Sequence, residues 1–432
     1  MAKNKLLPSP ATLSSLKPAQ HHNSANIPIY LFPSSSVDIL KIDFTFEAGP
    51  AYQSKKLCAS LVNCLIGEAT LRHTSQEIAE YIDSHGIILD RHTDTYTATI
   101  SVYVLSKFAL DFLPLLHEII TEPLFTSADL QVVLSKRKHV LLLAQQKTAS
   151  VARNIFYKNI YGEEHPEGRY AIPEDADKIT IDDIKEFHKR FYTTENQSIT
   201  ISGNFSDTFL TAFTELFCTT NTPSNQPLRQ LSSCDFPIPT TFEHRLTEEI
   251  PTAVQTTLRL GFRFDNDWDS PEYYRFLVLS TILGGYFGSR LMSSIREEKG
   301  YTYGIRSSLL LMRGTNAFFI ASDVDGARAS EALSDIYKEI HRLTEEAPTQ
   351  EELDLVVNYL AGDFLRSIDG IFERAERFNT MRALLVDDRY TNHLISTLDT
   401  ITPIQILELA NQFFTPDKFT EVITGNLDSF SK

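Results

Sequence analysis

Residues Asp177–Asp207 read DKITIDDIKEFHKRFYTTENQSITISGNFSD, and residues Asp399–Ser429 read DTITPIQILELANQFFTPDKFTEVITGNLDS. The two stretches align without a gap at an offset of 222 residues, the difference between 399 and 177. Matches fall at Asp177/Asp399, Ile179/Ile401, Thr180/Thr402, Ile184/Ile406, Phe191/Phe413, Thr193/Thr415, Gly203/Gly425 and Asn204/Asn426. In each copy a Thr stands where a helix N-cap is needed, and the helical stretch ends at paired aromatics. A short β-rich run then closes on Gly-Asn. The offset is about half of the 432-residue chain, so the sequence implies two homologous halves.

Working outward, Val37–Glu47 (VDILKIDFTFE) and Val254–Phe264 (VQTTLRLGFRF) both alternate apolar and polar residues as strands do. An apolar helix candidate follows each, Lys56–Ile66 in the first half and Tyr273–Leu283 in the second. A second strand pair comes next, then helices such as Phe108–Ile120 and Ala329–Leu343. Thr219–Pro239 is rich in Thr, Ser, Asn and Pro and lacks apolar periodicity, which reads as a linker. The expected organisation is a flexible N-terminus over 1–25, a first domain over 26–220, a linker over 221–240 and a second domain over 241–432. The fold class is α+β, each half a mostly antiparallel sheet with helices packed on one face.

A chain this long exceeds the ~250–300 residues at which single cores stop growing, and 42% hydrophobic content supports a sizeable core. Acidic residues outnumber basic ones, 56 to 40, for a net charge of −16. That surface repels nucleic acid and anionic membranes, and it is compatible with a basic peptide ligand. No run approaches the ~20 apolar residues of a membrane span, and MAKNKLLPSPATLSSLKPAQ has no signal-peptide core. The expected compartment is the bacterial cytoplasm, or the periplasm if a signal was removed. Cys58, Cys64, Cys218 and Cys234 show no CxxC spacing, and Cys58 and Cys64 read as small core residues in a reducing compartment.

Other polar residues read as structural. His85 and His92 flank a strand start without paired carboxylates, and His165 fixes a turn behind Glu163 and Glu164. Asp90, Asp94, Tyr96 and Tyr103 belong to one alternating strand through HTDTYTATISVYV, with no metal site implied. The aromatics of Phe372–Phe378 and Tyr273–Phe276 serve the core.

Gly284–Ile305 reads GGYFGSRLMSSIREEKGYTYGI, a glycine turn, then Ser-Arg-Leu, then Arg-Glu-x-x-Gly-x-x-Tyr. Together with Asn63–Thr70 (NCLIGEAT), the Asp83–Gly86 helix end and Gly162–Gly168 (GEEHPEG), it resembles the pitrilysin/insulinase family of zinc peptidases. The likeness is to the short-chain branch with the mitochondrial processing peptidases, and it runs from about Ile29 to Leu427. It implies the two-domain processing-peptidase-like fold. Active members carry His-x-x-Glu-His on the first long helix. Its histidines bind zinc, its Glu activates the bound water, and a Glu from a later helix completes the site.

In this chain those five positions fall on Ser60-Leu61-Val62-Asn63-Cys64, and no such motif occurs anywhere. The third ligand falls in Lys138–Gln146, at Leu142 or Leu143. The resemblance therefore implies a degenerate zinc site at Ser60, Asn63, Cys64 and Leu142, with no catalytic residue and no cofactor in this chain. Arg296 and Tyr303 match the family's Arg…Tyr pair, which holds the substrate backbone and stabilises charge on the scissile carbonyl. The implied function is the non-catalytic, substrate-binding subunit of a two-chain peptidase acting on oligopeptides. Its partner would be a paralogue carrying zinc, in a heterodimer; a homodimer is the other arrangement. The alternative is a scaffold with no role in proteolysis. An active enzyme with substituted ligands is a third reading, which stoichiometric bound zinc would support.

Overall fold

The structure, a computed structural model, describes residues 7–8, 16–21, 27–218 and 230–430. Most of the stretch expected to be flexible, and residues 221–229 of the expected linker, lie outside the described residues. In the first half the strands are β1 (Ala19–His21), β2 (Ile29–Pro33), β3 (Ile39–Phe46), β4 (Ile88–Thr93), β5 (Ala98–Leu105) and β6 (Gln197–Gly203). Its helices are α1 (Cys58–Leu65), α2 (Ser75–His85), α3 (Ala109–Thr121), α4 (Ser127–Gln145), α5 (Thr148–Tyr161), α6 (Ile181–Phe191) and α7 (Asp207–Phe217). The second half has strands β7 (Arg245–Glu249), β8 (Gln255–Arg263), β9 (Thr302–Met312), β10 (Thr315–Asp325) and β11 (Thr420–Gly425). Its helices are α8 (Pro271–Ser280), α9 (Ala329–Glu345), α10 (Gln350–Arg366), α11 (Ile371–Ala383), α12 (Arg389–Thr400) and α13 (Pro403–Phe413).

The first sheet is ordered β1-β2-β6-β3-β5-β4 and the second β7-β11-β8-β10-β9. Apart from β1, the two orders correspond strand for strand. All pairings are antiparallel except β2 with β6 and β7 with β11. The matched residues do matching work. Thr180 and Thr402 each cap a helix through a reciprocal capping box, accepting from the backbone N–H of Asp183 and of Gln405. Gly203 and Gly425 end β6 and β11 at φ of 105° and 126°, where a Cβ would meet the carbonyl oxygens of Ile39 and Gln255. Only glycine fits there.

One face of each sheet packs on helices of its own half. Ile42, Phe44 and Phe46 of β3 join Leu61 and Val62 of α1, Leu116 of α3 and Phe213 of α7 in one core. The opposite face takes a helix from the other half. α11 crosses the first sheet, where Asn379 accepts from Thr200 Oγ1 at 2.6 Å and donates to Asp43 Oδ2 at 3.1 Å. α5 crosses the second sheet, where Ala152, Phe156, Ile160 and Tyr161 pack on Ala317, Phe319 and Val422. Each half thus lends one helix to its neighbour.

Between the halves, the fully buried Arg313 donates to both oxygens of Glu47, at 2.7 and 3.2 Å. The same guanidinium reaches the carbonyls of Leu231 and Ala383. Removing one member of such a buried pair strands a charge and costs about 3–5 kcal/mol.

Three expectations change. Ala19–His21, inside the stretch expected to be flexible, pairs with β2 as an edge strand. His92–Val104 is a hairpin and not one strand. It turns at Asp94–Thr97, where Asp94 N–H donates to Thr97 O, and the Tyr96 ring is buried under the Arg313 guanidinium. The alternation of Thr and Asp imitated a strand, yet these are also turn residues. Cys58 is buried as expected, but Cys64 is exposed, because six residues along a helix do not share a face. The α11 aromatics pack across the exchanged interface, with the Phe378 ring tilted against that of Tyr30 at 4.7 Å between centroids. Among the described residues no helix is long and apolar enough to cross a membrane.

Candidate functional site

α1 opens at Leu57, which adopts a left-handed φ of 76°, and it carries Ser60, Asn63 and Cys64. Ser60 Oγ donates back to Leu57 O at 3.0 Å. Asn63 is 1% exposed. Its Nδ2 donates to His92 O at 2.7 Å, and contacts Thr93 Oγ1 at 3.2 Å and Thr99 O at 3.4 Å. Its Oδ1 accepts from Tyr192 OH at 3.3 Å. Burial holds that phenol well above its ordinary pKa, so it remains a donor. The amide therefore ties α1 to the β4–β5 hairpin and to the end of α6. An amide does not take a proton from water, and this one has its donors and acceptor engaged.

The Cys64 side chain is exposed, while its carbonyl accepts from Arg91 Nη1 at 2.8 Å; the same nitrogen caps Ile66 O at 2.7 Å. On α4, Leu142 and Leu143 are 45% and 44% exposed and offer hydrocarbon only. A hydroxyl, an amide, one thiol and a leucine do not fit zinc, which takes thiolate, imidazole or carboxylate donors. Among the described residues no group of three or more His, Cys, Asp or Glu could hold a metal ion.

The remaining polar residues are committed elsewhere. His85 Nδ1 meets Tyr81 O at 2.8 Å, and His92 Nε2 meets Asp94 Oδ1 at 2.9 Å. Asp90 accepts from the Arg91 N–H, Glu163 pairs with Lys158, and the Glu164 carbonyl accepts from Arg169. His165 is completely buried and stacked on Tyr161. Its Nδ1 accepts from the Glu167 N–H, so Nε2 carries the proton and donates to Ser233 Oγ at 2.7 Å. Burial pushes this imidazole down to about 4. Sequence reasoning passed over Glu167, which lines a cavity of about 710 Å³ with Thr95, Arg153 and Arg169. Burial pushes its carboxyl up to about 7. It lies within the GEEHPEG turn, but its environment comes from the folded loop.

Arg296 lies in the wide helical turn Met292–Glu298, and Tyr303 is at the start of the edge strand β9. The Tyr301 N–H donates to Ile295 O at 3.0 Å, folding the strand's start against that turn. Arg296 rests its guanidinium over the Phe287 ring at 4.9 Å and forms no ion pair among the described residues. Tyr303 is 93% exposed, and its hydroxyl has no partner among them. Both groups are free for a ligand.

With this geometry in place, the comparisons with known proteins fall into line. Residues 178–360 match the family described as peptidase M16 inactive domain. The crystal structure of a peptidase M16 inactive domain from Pseudomonas fluorescens has the same fold, with a TM-score of 0.79 at 21% identity over 94% of this chain and 98% of that one. An uncharacterized zinc protease, YmxG, of Bacillus subtilis (strain 168) is 23% identical over 372 residues, 84% of this chain and 87% of that protein. A non-peptidase homolog YmxG of Helicobacter pylori is 22% identical, covering 79% of each chain. Mitochondrial-processing peptidase subunit beta of Lentinula edodes is 22% identical, covering 78% of this chain and 75% of its own. Fold and matches define an M16-type peptidase homologue. Residues 178–360 carry that family's domain, in keeping with the pitrilysin/insulinase resemblance read from the motifs, and the sequence has no His-x-x-Glu-His.

Proposed function

We propose that this chain is the non-catalytic, substrate-binding subunit of a two-chain zinc peptidase acting on oligopeptides. The observation that carries the reading is the contrast just described: Asn63 is consumed by the fold, while Arg296 and Tyr303 are presented and uncommitted. The Arg296 fork suits a peptide carbonyl, and the Tyr303 phenol suits one hydrogen bond to a developing oxyanion. A partner paralogue would hold zinc, which supplies the activated water. One relative is by name a subunit, which supports a paired arrangement.

The test is turnover of an unstructured peptide by this chain, by a zinc-motif paralogue from the same genome, and by their mixture. Activity confined to the mixture and lost with Arg296→Ala supports the reading. A stable complex whose turnover ignores Arg296→Ala favours the scaffold reading, to which the Helicobacter relative's name also points.

A further inference from the structure

Beyond Tyr303, β9 continues through Gly304 and Ile305 to Arg306, which lines a cavity of about 500 Å³. Small-ligand sites span roughly 300–1,000 Å³. Arg153 from α5, Arg259 from β8 and Arg306 converge there, in a chain where acidic residues outnumber basic ones 56 to 40. None of the three forms an ion pair among the described residues.

Arg259 is 6% exposed. Its guanidinium is stacked against Phe319 at 4.0 Å, Phe156 at 5.0 Å and Tyr157 at 5.1 Å. One nitrogen donates to Tyr157 OH at 3.3 Å, and Nε has no hydrogen-bond partner among the described residues. Burial, with the neighbouring Arg153 and Arg306 charges, lowers its pKa from the ordinary arginine value. A buried donor without a partner and like charges in one cavity both cost free energy that a bound anion recovers. Asp323, the acid in the lining, accepts from Thr257 Oγ1 and pairs with none of the arginines, so three positive charges face one negative. That carboxylate disfavours a doubly charged phosphate more than a singly charged carboxylate. The cavity also meets the Glu167 cavity at Ser150 and Arg153, so the two extend from the end of β4 to β9.

We propose that the Arg153–Arg259–Arg306 cavity is a carboxylate-binding subsite that anchors an oligopeptide beside Tyr303. Guanidinium forks take carboxylates bidentately, which fixes orientation as well as affinity. This rests on the reading that the chain handles peptides. The carboxylate comes either from the peptide's C-terminus or from an Asp or Glu side chain.

The experiment is fluorescence anisotropy of the full chain alone with three labelled, unstructured peptides. One is neutral with a free C-terminus, one is its C-terminal amide, and one is the amide with a central Glu. A carboxylate-bearing peptide is expected to bind at least about ten-fold tighter than the neutral amide, the effect of one charge-assisted hydrogen bond. A gain for the free C-terminus assigns a terminal anchor, and a gain for the Glu peptide assigns a side-chain anchor. The exposed pair Arg153→Gln/Arg306→Gln should close the gap while the circular dichroism spectrum stays unchanged. The proposal is overturned if all three peptides bind alike, if none binds, or if the double variant preserves the gap. The cavity is built by one chain, so no partner is needed, and the two-chain reading is judged separately by turnover in the mixture.

Discussion

On α1, the Asn63 amide is 1% exposed and touches His92, Thr93, Thr99 and Tyr192; on β9, the Tyr303 hydroxyl stands 93% exposed with no described partner. The family resemblance assigns chemistry to both positions, yet in the structure one is bound into the fold and the other is open to solvent. A buried position without a catalytic group still has to satisfy the polar atoms around it, and Asn63 does so for two strands and a helix end. An exposed position has no such duty. What Tyr303 and Arg296 do must be read from ligands.

The largest expected effect tests the exposed side. In the two-chain mixture, Tyr303→Phe should lower kcat/KM by about 10²–10³-fold, the loss typical of one oxyanion-stabilising donor. Steady-state kinetics on an unstructured peptide checks it. On the buried side, Asn63→Ala should destabilise the chain by about 1–3 kcal/mol, because the His92 carbonyl and the Tyr192 hydroxyl lose their partner. Urea unfolding would show the cost as a lowered midpoint, and an unchanged midpoint would break the comparison.

Acid sharpens it further. His165 stays neutral in the fold with a pKa near 4, against 6.5 ordinarily, so between those values the unfolded chain binds more protons. Its contribution to stability is complete above about pH 6.5 and is lost as pH falls toward 4. His165→Gln should flatten the pH–stability curve there by up to about 1.4 kcal/mol per pH unit. The smallest effect is Tyr303→Phe on stability, expected within about 0.5 kcal/mol by thermal unfolding. A larger change would place Tyr303 with the structural residues.

The repeat was readable because caps and glycines are local demands: Thr180 and Thr402 need only the next turn, and Gly203 and Gly425 need only a positive φ. The missing zinc donors were equally plain, since a motif is a string. What stayed hidden depends on distant chain. Lys41 and Asp43 alternate with apolar neighbours and read as a solvent face, yet both are buried under α11. Arg259 likewise looks like the wet side of VQTTLRLGFRF, and its burial exists only once α5 arrives from the other half. The partners of Asn63 are 29 to 129 residues away, beyond any local pattern.

The exchanged helices bear on how the chain is made. When residue 218 has left the ribosome, every strand of the first sheet has been synthesised, yet its cover, α11, ends at Ala383. At roughly 5–20 residues per second, that face waits some ten to thirty seconds for its helix. Over that interval the nascent first half presents an incomplete surface, with Asp43 and Thr200 lacking the Asn379 side chain that engages them in the finished protein. Completion of that face is thereby timed to the second half of translation, and a chain truncated between the halves would lack the helix that covers it.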